Sequence, residues 1–299
     1  MAAQVDPVRL DDVERRNPLK PVFDELRGIA REPRGAIALV LLFAVFFFSF
    51  VLPILDPTDP NWSERGSKLL SLSWDHPLGT DHLSRDLLAR VSVSSRRTIL
   101  TGFSAVLIGM SMGITIGYIA GWTGRVTDTL IMRALDVLMA FPGLVLAIVV
   151  TTILGTGLFS LAVAITIFNI PVTARLARAG VLRERERDYA LAARTLGASG
   201  RRVLFRHVAV NTFGAFAVQM PISFVASVLA MAALNFLGVG IQLPNATLGT
   251  MLAEGQQYMQ TAPHFVIVTT VVLAVLMVGL NFLSDVLSER LDPVRRRRV

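Results

Sequence analysis

Six separate runs of mainly apolar residues, each close to the length of a membrane-spanning helix, constrain this chain more than any other feature. They cover residues 36–55, 99–122, 130–154, 158–174, 213–237 and 265–284. A helix rises about 1.5 Å per residue, so roughly 20 residues cross the hydrocarbon core of a bilayer. Composition agrees: 53% of the residues are hydrophobic and 17% charged, whereas a soluble domain carries about 25% charged residues. The reading is an all-α membrane protein with six transmembrane helices. The first run is taken as an anchor rather than a cleaved signal, because 35 mostly polar residues precede it and no small-residue cleavage site follows it.

Orientation follows from where the cations fall. Residues 1–35 hold seven Arg and Lys, the stretch from Arg175 to Arg206 nine, and the tail beyond Leu287 five, with Arg125 and Arg133 flanking the turn between the second and third runs. These share one side if the runs are six. The other side receives loop 53–98 and segment 238–264, the latter without Arg or Lys before His264. Cations stay in the cytosol, so both termini are expected there. The chain divides into a cytosolic N-terminal segment 1–35, a six-span domain 36–284 with a cytosolic loop 175–212, and a basic tail 285–299. Within the first segment Val22, Phe23, Leu26, Ile29 and Ala30 share one helical face, which fits a helix lying on the membrane surface or a basic tail.

Whole classes of chemistry are excluded. The chain has no cysteine, so disulfides, thiolate metal sites and cysteine nucleophiles are ruled out. Its two lysines, Lys20 and Lys68, follow Leu19 and Ser67, so no Walker A loop is present. The net charge of +7 rests on 27 arginines among 29 cations; in so apolar a chain it points to membrane lipid rather than nucleic acid. His76, His82, His207 and His264 are dispersed, and no catalytic motif adjoins them; His76 and His82 lack a third metal ligand. No catalytic residue, metal ligand or cofactor is therefore assigned to the chain.

Inside the runs, Gly109, Gly113, Gly117 and Gly121 recur every fourth residue and give one helix face a stripe without side chains, suited to close helix packing. Pro142, Pro171 and Pro221 each remove a backbone donor and invite a kink. Asp136 is the carboxylate lying well within a run, with Arg133 three residues earlier as its nearest cation in sequence. Together with Phe141, Asn169 and Gln219, Asp136 and the three prolines are candidates for a pore or gate, or simply for interhelix contacts.

The stretch between the fourth and fifth runs is the most informative. Asp188 can cap a short helix, Ala192 and Ala193 give it a smooth face, and Gly197 can end it with a left-handed backbone. Ser199 can cap a second helix with Val203, Leu204 and Val208 along one side. Two short helices joined at a glycine suit either a groove in a soluble partner or a solvated basic loop.

Here the residues resemble a known family. Ala192, Ala193 and Gly197, with Tyr189 before them and Ala198, Arg206, His207 and Asn211 after, resemble the EAA loop of binding-protein-dependent ABC transporter permeases. The run from His76 to Leu88 is similar to the outer-loop signature of the dipeptide/oligopeptide/nickel group, and Leu234 to Gly240 with Leu248 to Gly255 is similar to its last outer segment. The arrangement is that of the second, "C" type permease of the pair. Two positions depart from the pattern: Leu191 replaces the glutamate that names the loop, and Val210 a proline. The resemblance implies the fold of a type I importer permease with cytosolic coupling helices. It also implies a homologous second permease, one or two ATPase subunits that bind ATP and Mg, and an extracytoplasmic peptide-binding protein. The cargo implied is a di- or oligopeptide, with nickel, or a small solute moved by an ATP-independent carrier or channel, as alternatives. Reporter fusions test the topology: a fusion after Val299 should read as cytosolic and one at Asn245 as exterior, and a cytosolic signal at Asn245 overturns six spans.

Overall fold

The computed structural model describes residues 28–242 and 244–291. Val22, Phe23 and Leu26 of the surface-helix reading, and the arginines 295–298, lie outside the described residues. Within them the chain is helical, with no strand. Helix α1 (Pro33–Leu55) starts on a proline, whose missing donor costs nothing at a helix start. One wide π-turn at Phe47–Val51 carries Ser49 inward, where its hydroxyl bonds that of Ser95 at 2.7 Å. The face bearing Phe43, Phe46 and Phe47 stays open, as a lipid-facing surface does.

Helix α2 runs from Leu87 to Trp122. At about 54 Å it outreaches a bilayer core. It begins at Leu87 rather than at 99 because Arg90, Ser92, Ser94, Ser95 and Thr98 turn inward; their polarity lowers the hydropathy of the stretch without interrupting the helix. The expected third run is two helices, α3 (Arg125–Ala140) and α4 (Gly143–Leu154), bent by 87°. The kink expected at Pro142 is thus a full break. Phe141, the residue before the proline, takes an extended backbone (φ −90°, ψ 137°), since the α region is sterically disfavoured there. Among the described residues the N–H groups of Gly143, Leu144 and Val145 find no acceptor; Leu146 is the first to bond back, to the Pro142 carbonyl at 3.1 Å.

Helix α5 spans Leu158–Glu184 and carries the buried Pro171 inside it without a break. A short helix α6 (Asp188–Thr195) follows. Helix α7 (Gly200–Phe236) is continuous through a second π-turn at Leu204–Val208 and the buried Pro221. The short helix expected after Ser199 is therefore the first turns of this long one, with Ser199 accepting from Arg202 N–H at 3.4 Å as its cap. Helix α8 (Leu248–Gln256) leads to α9 (Pro263–Leu291). Five helices are long and apolar enough to span a membrane, and the bent pair α3–α4 counts as a sixth if it crosses as one broken span.

The tightest seam lies between α2 and α5. A Cβ added at Gly109 would sit 2.7 Å from the Thr166 carbonyl oxygen, and at Gly113 2.8 Å from that of Ile170. At Gly117 it would overlap the carbonyl of Ala174, and at Gly121 it would lie 2.9 Å from the Val181 Cβ. All four glycines face one helix, and at the first three the obstructing atom is backbone, which cannot rotate away. Small side chains on α5, Thr173, Ala174 and Ala177, complete the seam. Even alanine should therefore cost about 1–3 kcal/mol at Gly113 or Gly117. Gly214→Ala on α7, where a Cβ meets nothing within 4 Å, should be neutral or slightly stabilising. Thermal unfolding of the purified variants checks both, and equal midpoints for Gly117→Ala and Gly214→Ala would contradict the seam.

Candidate functional site

The two ends of α2 carry different constructions. At the Trp122 end, α6 is held as a rigid knuckle. Its N-cap is Arg187 without a side-chain bond, and Asp188 sits in the first turn, so Asp188 favours the helix through the dipole rather than as the cap. Gly197 (φ +84°) closes it: Ala198 N–H reaches back to Ala193 O at 3.0 Å and Gly197 N–H to Arg194 O at 2.9 Å, a Schellman closure that needs a left-handed residue. Tyr189 donates to Glu184 at 2.6 Å, and its ring tilts over His207 at 6.3 Å. Arg194 lies over the Trp122 ring at 4.9 Å, and Arg185 donates to the Gly121 carbonyl at 2.9 Å.

These clasps decide which side chains point out. Ala190 is buried, and Ala193 and Ala198 pack against the core. Leu191, Leu196 and Phe205 stand 47%, 88% and 65% exposed, with Ala192 and Arg206 exposed beside them. The smooth face expected from both alanines is thus split: Ala192 faces out and Ala193 in, one residue on and about 100° round the helix. Leu191 belongs to the expected set, whereas Leu196 and Phe205 do not, since an apolar side chain in a basic loop carries no sign of which way it points.

At the other end, the two outer motifs meet. Asp81, fully buried, accepts from the backbone N–H groups of Leu83 (2.8 Å) and Arg85 (3.0 Å) and from Arg85 Nε at 2.6 Å. Arg90, 1% exposed, lies 3.4 Å from Asp81 and donates to both carboxylate oxygens of Glu254 on α8 at 3.1 Å. Arg85 reaches Glu254 at 3.5 Å. Two carboxylates and two guanidiniums therefore form a neutral, largely buried quartet that ties loop 56–86 and the start of α2 to α8, with Arg85 Nη2 and Arg90 Nε and Nη1 left without a hydrogen bond among the described residues. His82 stacks on Tyr258 at 5.0 Å, and burial lowers its pKa. Its ring nitrogen, Asp81 and Glu254 lie within 4.8 Å of one another, but both carboxylates are taken up by arginine. His76 stands apart from His82: it bonds Asp86 at 2.9 Å and Glu64 at 3.2 Å. Asp86 also caps α2 by accepting from Ala89 N–H at 2.9 Å.

Between the ends, the pore candidates separate. Phe141, Pro142 and Pro171 come together around an apolar cleft of about 280 Å³ with Met139 and Phe168. Asp136 pairs with Arg175 of α5 at 2.6 Å rather than with Arg133, because the partner comes from a neighbouring helix. Asn169 is buried and donates to Ile165 O and to Ser227 on α7, at 2.8 and 2.9 Å. Gln219 bonds Ser223 of its own helix at 3.1 Å. Asn169 thus fastens two helices, and neither it nor Gln219 nor Pro221 borders the cleft.

A six-span helical bundle with one broken span and a rigid apolar knuckle at one end has the build of a membrane permease. Residues 113–297 match the family model described as binding-protein-dependent transport system inner membrane component. The chain is 35% identical to the dipeptide transport system permease protein DppC of Haemophilus influenzae, over 88% of this chain and 92% of that one. It is 34% identical to the glutathione transport system permease protein GsiD of Pectobacterium atrosepticum, over 87% and 85%. Its fold is that of a chain of the MetNI methionine ABC transporter in an inward-facing form, with a TM-score of 0.55 at 18% identity, covering 69% of this chain and 96% of that one. The chain belongs to the binding-protein-dependent permease family and is a multi-pass inner membrane protein.

The quartet and His76 give distinct expectations. Glu254→Ala strands a buried guanidinium and should cost about 3–5 kcal/mol, much of it recovered when Arg90 and Glu254 are both replaced by methionine; thermal unfolding checks this. The hydrogen bond from His76 to Asp86 raises the histidine pKa above its usual 6.5. Its contribution to stability is therefore complete below about pH 6.5 and is lost as pH rises through the raised value. Proteolysis of loop 56–86 should quicken over that window, and His76→Ala should abolish the dependence.

Proposed function

We propose that this chain is a peptide-translocating permease subunit of an ATP-driven importer. A homologous second permease completes the path, separate subunits hydrolyse ATP with Mg, and an extracytoplasmic binding protein delivers the peptide; this chain performs no chemistry of its own. The α6 end and both termini face the cytosol, consistent with nine cations between Arg175 and Arg206. Names of the relatives, for dipeptide and for glutathione, support a short peptide as cargo.

The observation that carries the reading is the knuckle. Leu191, Leu196 and Phe205 are exposed on a helix end immobilised by the Gly197 closure, the Tyr189–Glu184 bond and the Arg194–Trp122 contact. An apolar patch outside the spans, presented on a rigid helical end, suits a groove in a soluble partner. A knuckle braced against α2, α5 and α7 transmits a push to the bundle, where a floppy loop would absorb it. Leu196→Asp places a charge in the contact, and Gly197→Val forces a β-branched residue into a left-handed backbone. Both variants should reach the membrane at wild-type levels, retain less ATPase on purification and lose peptide uptake by tenfold or more, as the loss of about 1.4 kcal/mol of contact gives. Wild-type uptake in both would remove the knuckle as the energy-coupling contact.

A further inference from the structure

Two ion pairs join α3 to α5, and they are built differently. Asp128 and Arg178 form a two-pronged pair, both bonds at 2.5 Å, with the carboxylate side chain 18% exposed. That pair fastens the helices. Asp136 and Arg175 share a single bond at 2.6 Å and stand 49% and 45% exposed. One carboxylate oxygen and most of the guanidinium donors have no other partner among the described residues. Arg175 opens the cytosolic run of cations and Asp136 lies within the third apolar run, so the pair stands near the cytosolic edge of the bundle, where charges face water, protein or a passing solute.

What lies beside the open pair is specific. Asp136 is three residues from Met139, and Arg175 three from Val172, so both charges share helix faces with the walls of the apolar cleft. The cleft, about 280 Å³, is lined by Phe141, Phe168 and Pro171 and opens to one side. At its rim the chain is broken, and the N–H groups of Gly143, Leu144 and Val145 lack acceptors. Lipid cannot satisfy such groups. The volume is below that of a drug-sized site and suits one side chain.

We infer that the Asp136–Arg175 pair and the adjoining cleft form a transit subsite for a zwitterionic short peptide. Asp136 takes the peptide ammonium, Arg175 its carboxylate, and an apolar side chain enters the cleft between Phe141 and Phe168. An exposed ion pair holds little free energy, so the peptide exchanges it for two charge-assisted bonds at small cost. This rests on the peptide-permease reading and adds the place where this chain touches its cargo.

The test uses the complete transporter in proteoliposomes with radiolabelled alanyl-phenylalanine. Photoreactive benzoylphenylalanine replaces Phe168, or, as a control, Phe159, which is 75% exposed at the far end of α5. Under ATP-driven turnover the label should attach at position 168 and not at 159. Asp136→Asn and Arg175→Gln should each lower labelling about tenfold, the equivalent of one charge-assisted bond, with ATPase copurification unchanged. The double variant D136R/R175D keeps an ion pair but reverses it, and should not restore labelling. Restoration to the wild-type level would show a structural clasp, and labelling absent from position 168 while uptake proceeds would place the path elsewhere; either overturns the subsite. A wild-type complex that imports no peptide removes the functional reading itself, and the subsite with it.

Discussion

Backbone contact between α2 and α5 sets the frame on which both ends of the molecule depend. Four glycines bring the two helices so close that the carbonyls of Thr166, Ile170 and Ala174 occupy the space of absent side chains. In a bilayer no hydrophobic gain distinguishes a helix neighbour from a lipid tail, so close packing of this sort carries association. Because α2 is 36 residues long, fixing its middle fixes both extremities: Arg90 at one end and Trp122 at the other are placed by the same seam. A displacement of α5 therefore reaches the quartet and the knuckle together.

The polar groups divide into those that lock and those that remain open. The quartet at the α8 end is neutral and largely buried, although Arg85 Nη2 and Arg90 Nε and Nη1 make no hydrogen bond among the described residues, and such networks hold an arrangement at the expense of desolvation. Asn169 and the Tyr118–Thr212 contact at 2.5 Å act likewise across α2, α5 and α7. Against these, the Asp136–Arg175 pair and the 141–143 break are unfinished. Asp136 and the break lie on α3 and α4, which have one and two buried residues respectively, and Arg175 faces them from α5.

Much of this is legible in the amino-acid order. Five of the six apolar runs are spanning-length helices and the third is the bent pair, the fourfold glycine spacing marks a side-chain-free face, and Gly197 marks a helix end. What hydropathy cannot see is direction. Arg90 lowers the average of its window although it is buried, so the start of α2 reads twelve residues late. Glu254 meets Arg90 across 164 residues, a distance over which no local pattern speaks, although both lie in or beside the outer motifs. Pro142 signals a bend but not 87°, because the angle is set by what α4 packs against. Ala192 and Ala193 look alike in sequence, and only the packing of Ala190 shows which of them faces out.

The account turns on the knuckle being the surface that meets the energy-supplying subunit. The absence of native cysteine makes a single reporter thiol clean. Leu196→Cys, assembled with an ATPase subunit carrying one thiol at its docking cleft, should crosslink in a yield that changes between nucleotide-free and ATP-bound states, while Phe159→Cys at the far end of α5 should not crosslink in either. A yield at Leu196 no greater than at Phe159 in both states would contradict it.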